Sequence, residues 1–310
     1  LDADTGEGSR DLGTVEMKYY LQPYAPTADF TPTESKGFTK RGFFEVAPQY
    51  VDGAAKVYAS KFANKPLEFA VSPNTPEEYR QAVTDGILYW NKAFGEERVS
   101  AVVAPEGITA PDYNYNVVQW INWDTAGFAY ADAQADPRTG EILHAQVYMT
   151  SVFAVAGRTR AERLLKQLEG ETEDPSGFTV GLAGFEQGFL CVRNLTGQFK
   201  QALRKLLDEG ATDERILKAS QDYVREVIAH EVGHTLGLRH NFAGSLHANY
   251  AVSELEGHLR SYFENGRTPA GVEPSSSVME YQLFEESILT GDTMTRAEDA
   301  PMDYDLQAIK

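Results

Sequence analysis

"HEVGHTLGLRH" spans residues 230–240 and holds three of the six histidines in a chain of 310 residues. It closes the longer run "TDERILKASQDYVREVIAHEVGHTLG", residues 212–237, whose apolar residues recur at helical spacing. On a helix His230 and His234 lie one turn apart on the same face, so both imidazoles can reach one ion at about 2.0–2.1 Å. Gly237, three residues after the second histidine, permits a left-handed helix end that redirects the backbone and lets His240 return to the same ion. Three neutral imidazoles leave a fourth position for water or substrate, which is the arrangement of a catalytic zinc and not of a closed structural site. Glu231 need not ligate, because its carboxylate can face the open side of the metal as a general base. A lone helical histidine is ordinarily a packing residue, and His-Glu-x-x-His alone is moderate evidence. The five positions of HExxHxxGxxH co-occur by chance in a chain of this length with a probability well below ~1 in 10,000.

These residues resemble the metzincin metalloproteases, whose zinc helix is followed by a Met-turn, and the third histidine excludes the gluzincins. "SSSVMEY", residues 275–281, supplies the Ser-x-Met-x-Tyr form of that turn. The resemblance implies that Met279 is an apolar floor beneath the three imidazoles and that Tyr281 can assist at the reacting carbonyl. "APMDYDLQAIK" at residues 300–310 looks like the segment before the final turns of many metzincins, with Tyr304-Asp305 and Ala308-Ile309 as matching pairs. "NTPEEYRQAVTDGILYWNKAF", "DPRTGEIL" and "AHEVGHTLGLRHNFAGS" together are similar to bacterial Met-zincin domain proteins over roughly residues 40–310. The implied fold is α+β and metzincin-like: a twisted mixed sheet with long helices in an upper lobe, an irregular lower lobe, and a zinc cleft between them. Asn241 departs from the astacins, which have Glu after the third histidine, so no tie from a buried N-terminus to that position is expected.

The rest of the chain suits this division. Residues 1–55 carry short aromatic runs, "TVEMKYYLQPY" and "KRGFFEVAP", broken by Pro, Gly and Thr, and read as an N-terminal extension with short strands. Residues 56–240 form the upper lobe and residues 241–310 the lower lobe with the Met-turn. "KPLEFAVS", "VSAVVAP", "NVVQWINW" and "EILHAQVYMTSVFA" predict strands. "TPEEYRQAVTDGILYWNKAFG" predicts a helix capped by Thr75 with Pro76 at its first position, burying Tyr79, Val83, Ile87, Trp90 and Phe94. Further helices are predicted at "TRAERLLKQLEG" and "QFKQALRKLLDEG", separated by a Gly- and acid-rich loop. The region after Asn241 reads as loop-rich with few strong helices.

Composition narrows the partners. With 28 Lys plus Arg against 46 Asp plus Glu, a net charge of −18 disfavours phosphate backbones and anionic membrane surfaces. The bland reading of that acidity is a well-solvated surface, and the others are bound calcium or a salty habitat. Cys191, the single cysteine, lies in the apolar "GFLCVRNL" and reads as a small hydrophobe. No run of eighteen or more apolar residues is present, so no membrane insertion is expected. "LDADTGEGSR" lacks the regions of a signal peptide, which does not argue for the cytoplasm, and a secreted, periplasmic or cell-surface location is expected.

The expected activity is a zinc-dependent endopeptidase acting on an extended polypeptide, with Glu231 moving the proton and Tyr281 assisting the oxyanion. The substrate is expected to add to a sheet edge, for which "EILHAQVYM" is the candidate. His144, His247 and His258 are not expected to ligate, since three ligands are already supplied. Two other readings share the motif: a catalytically silent, zinc-stabilised binding module, and a hydrolase of a nonpeptide amide such as a cell-wall crosslink.

Overall fold

The computed structural model describes residues 23, 25, 27–35, 42–123, 127–170 and 213–309. "TVEMKYY", Cys191, the Gly- and acid-rich loop and the helix expected at "QFKQALRKLLDEG" lie outside the described residues.

An N-terminal meander comes first. Strands β1 (Glu34–Ser35), β2 (Gln49–Val51) and β3 (Ala54–Tyr58) form a small antiparallel sheet in the order β1-β3-β2. Tyr58 at the end of β3 pairs with Glu34 of β1. Strand β4 (Lys61–Phe62) then crosses into the main sheet.

The main sheet adds β5 (Leu67–Val71), β6 (Val99–Val103), β7 (Asn116–Ile121), β8 (Ala129–Ala135) and β9 (Glu141–Thr150). Its order is β6-β5-β7-β9-β8, with β4 pairing the first residues of β9. All pairs are parallel except β8–β9, which is antiparallel. The mixed sheet expected from sequence is therefore present, but the expected edge is not. Strand β9 lies between β7 and β8, with Val147 opposite both Val118 and Ala131. Among the described strands the edge on that side is β8, whose composition "AYADAQA" is too poor in β-branched residues to read as a strand alone.

Helix α1 (Glu77–Phe94) follows β5 and buries Tyr79, Val83, Ile87 and Trp90 of the expected face, with Phe94 half-buried, and Trp90 donates its indole N–H to the Ala229 carbonyl at 2.9 Å. Its start differs from the sequence expectation by one residue. Pro76 has φ −55° and ψ 141°, so it stands outside the helix, and the Thr75 hydroxyl lies 3.3 Å from the Ser72 hydroxyl and does not cap. Helix α2 (Val152–Glu169) starts earlier than expected, taking in "VFAVAG". A short apolar run does not distinguish a buried helix from a strand by periodicity.

Helix α3 (Glu214–Thr235), capped by the Asp213 side chain on the Arg215 amide, carries His230 and His234 and is buried from Tyr223 onward on every side. Glycines let other helices close on it. A Cβ at Gly86 of α1 would stand 2.6 Å from the Arg225 carbonyl oxygen, and one at Gly157 of α2 2.8 Å from the Ser220 hydroxyl. Below α3 the chain forms α4 (Leu255–Asn265), α5 (Phe284–Thr293) and α6 (Asp303–Ile309), more helix than expected after Asn241. A Cβ at Gly291 of α5 would meet the Asp222 carbonyl oxygen at 2.0 Å, so α5 crosses α3 at backbone contact. Buried Asp222 accepts from Tyr262, Lys218 and Arg225, and Lys218 also bridges to Asp292 of α5 at 2.6 Å. This network fastens the lower helices to the first half of α3. No helix among the described residues is long and apolar enough to cross a membrane.

Candidate metal centre

The last turns of α3 place His230 and His234 with ring centroids 4.8 Å apart. Gly237 then adopts φ 97°, as its position in the motif predicts. A second constraint was not legible in the sequence: a Cβ at 237 would lie 2.2 Å from the Ser60 carbonyl oxygen. Beyond the turn, residues 42–44 run beside the chain, with Phe44 N–H donating to the Gly237 carbonyl and Arg239 N–H to the Gly42 carbonyl, each at 2.7 Å. The extension thus splints the segment that delivers His240. The Phe44 ring also lies 5.7 Å from the His234 ring.

The ligand atoms of His230, His234 and His240 fall within 4.8 Å of one another, the one such group among the described residues. His230 Nδ1 donates to the Val278 carbonyl at 2.6 Å and His234 Nδ1 to the Leu238 carbonyl at 2.7 Å. A carbonyl only accepts, so Nδ1 carries the proton and the lone pair of each neutral ring is left on Nε2. His234 Nε2 lies 3.1 Å from His240 Nε2. Two fixed imidazole nitrogens converging this closely fit a shared divalent cation, and their carbonyl partners are the outer contacts that orient metal-binding histidines. Glu231, in the same helical turn, is fully buried.

The Met-turn lies beneath. Met279 is fully buried, and a Cβ at Gly233 would stand 2.3 Å from its sulfur and 2.6 Å from the Trp90 ring. Gly233, inside the histidine motif, is therefore the residue that lets Met279 and Trp90 pack directly on the metal helix. The Met279 carbonyl accepts from Asn241 N–H at 3.0 Å. Tyr281 places its ring 4.2 Å from that of His240 and 5.6 Å from that of His230.

Asp305 of α6 holds this turn. Its carboxylate accepts from the Ser277 hydroxyl at 2.6 Å, Val278 N–H at 3.0 Å and the Tyr89 hydroxyl at 2.7 Å. Burial pushes its pKa up to about 6, against the lowering effect of those hydrogen bonds. Glu280 accepts from Ser245 and Ser275, joining the loop after His240 to the turn. In sequence Asp305 is one acid among many, with only its neighbourhood in "DYDLQAI" to mark it.

The other histidines lie elsewhere. His144 projects from β9 near Asp132 and Asp112, with its pKa lowered by burial. His247 is exposed 3.6 Å from Asp303, and His258 packs against Tyr250. The calcium expectation finds no cluster of three carboxylates among the described residues.

A family model described as Met-zincin matches residues 212–310. No curated protein and no solved structure matches the chain. The matched segment includes the metal helix, the Met-turn and α6, while the sheet above it, with its antiparallel edge, completes a metzincin-like α+β fold. Residues 212–310, which bring His230, His234 and His240 together, are similar to the Met-zincin family and form a zinc-metalloprotease-type segment.

Proposed function

We propose that the protein is a zinc-dependent endopeptidase, and the observation that carries this reading is buried Glu231 in the same helical turn as His230 and His234, with His240 converging on them. His230, His234 and His240 would hold the ion through Nε2. When bound, zinc supplies Lewis acidity, which activates water at neutral pH and polarises a carbonyl. Glu231 accepts the proton of the attacking water as the new C–O bond forms, and gives it to the amide nitrogen as the C–N bond breaks. The half-buried Tyr281 ring beside His240 suits its hydroxyl to donate a hydrogen bond to the developing oxyanion.

The substrate would lie extended along β8. Among the described strands β8 pairs with β9 alone, so its other side offers backbone groups to a peptide. That strand replaces β9 as the docking edge, and a secreted, periplasmic or cell-surface location remains part of the proposal.

A mixed peptide library incubated with the zinc-loaded protein tests the reading. Cleavage that a chelator abolishes and added zinc restores is the expected result. No cleavage by fully zinc-loaded protein would contradict it, and would favour the binding module or a nonpeptide amide.

A further inference from the structure

We propose that a cavity between the N-terminal extension, α1 and α6 binds a small organic anion with an apolar body, such as an alkyl carboxylate. Its volume is about 630 Å³, inside the range of about 300–1,000 Å³ in which clefts bury a small molecule. Phe30, Phe43, Phe62, Phe94, Leu236 and Ile309 supply its apolar walls. None of His230, Glu231, His234, His240, Met279 and Tyr281 borders it, so it is separate from the metal centre and does not depend on the activity proposed there.

The charge at this cavity runs against that of the chain. Its charged side chains are Lys61 and Arg98 against Asp29, a balance of one positive charge in a chain that carries −18. Both cations rest on the aromatic wall: Lys61 Nζ lies 5.5 Å from the centroid of the Phe30 ring, and the Arg98 guanidinium 4.6 Å from that of Phe94. Arg98 is fixed further by donating from Nη2 to the Ala63 carbonyl at 3.0 Å. Neither cation forms an ion pair with a carboxylate among the described residues. Two residues bordering the cavity also hold a buried polar atom that has no hydrogen-bond partner among the described residues, the hydroxyl of fully buried Ser60 and Nε of Arg98. Buried polar groups are ordinarily paired, and both of these groups donate, so the complement they lack is an acceptor oxygen. A carboxylate supplies that acceptor and the negative charge together, while its apolar body meets the rings. The acidity of the rest of the chain disfavours adsorption of the same anion elsewhere.

Isothermal titration calorimetry of the whole protein at neutral pH, with decanoate, 1-decanol and acetate as probes, tests the site. Decanoate is expected to bind at one equivalent per chain, and decanol and acetate at least about tenfold more weakly, since each lacks one of the two features the cavity matches. Lys61→Gln should weaken decanoate about 5- to 50-fold and leave decanol unchanged. Ala308→Phe, which puts a ring into the cavity from α6, should abolish binding of both while the bound zinc stays constant. Equal affinity of the wild type for decanoate and decanol, several equivalents bound whatever the substitution, or no binding of decanoate would overturn the assignment.

Discussion

The Nδ1 of His230 donates to the carbonyl oxygen of Val278 at 2.6 Å, so the residue before Met279 sets the tautomer of the first metal ligand. Val278 is held from its other side, where its N–H donates to Asp305. A three-residue relay thus runs from the last helix, through the Met-turn, to the metal helix. Its members are 27 and 48 residues apart in sequence.

Asp305→Ala would leave the Ser277, Val278 and Tyr89 donors buried without their acceptor, a loss of about 3–5 kcal/mol. Asp305→Asn keeps the shape and one acceptor, and also isolates a pH effect. The folded-state pKa of about 6 stands above the ordinary carboxylate value. The native state therefore holds a proton that the unfolded chain releases, and this term lowers stability as pH rises from 4 to 6, by up to about 3 kcal/mol. Urea denaturation across that range should show the wild type losing ground relative to Asp305→Asn, with a constant difference above about pH 7. A constant difference throughout would refute the assignment.

Gly237→Ala meets two obstacles, the positive φ and the Ser60 carbonyl. Expected destabilisation is about 2–4 kcal/mol. Since Gly237 delivers His240, zinc affinity should fall as well, which a competition titration with a chromophoric chelator measures. A variant with unchanged zinc affinity would show that the turn is not what positions the third ligand.

Gly233→Ala pushes a methyl group into Met279 and Trp90. Overpacking at such a contact costs about 1–3 kcal/mol. Part of that penalty should vanish in a Met279→Ala background, where the sulfur no longer stands 2.3 Å away. A double-mutant cycle in thermal or chemical denaturation gives the coupling, and strictly additive effects would mean that the two residues do not press on each other.

Much of the site was legible because metal chemistry constrains residue type and spacing within a few turns. His230, His234, His240 and Gly237 stand at positions a helix and one left-handed turn dictate. Long amphipathic helices were legible for the same local reason, as the buried face of α1 illustrates. What was not legible depends on contacts between distant segments. The edge strand was misplaced because β8 is rich in alanine, and only its pairing with β9 makes it a strand. The role of Asp305 depends on Tyr89, 216 residues away, and that of Gly233 on Trp90. The splint from residues 42–44 onto Gly237 and Arg239 is likewise a backbone contact that leaves no signature in side-chain pattern.

The most direct measurement is zinc content and peptide hydrolysis in Glu231→Gln, side by side with the wild type. Glutamine preserves the shape of the buried side chain and removes its capacity to take a proton. Zinc should remain near one equivalent per chain while kcat falls by at least about 10²- to 10⁴-fold. Hydrolysis within tenfold of wild type, with zinc retained, would contradict the assignment of Glu231 as the base and with it the account of this centre.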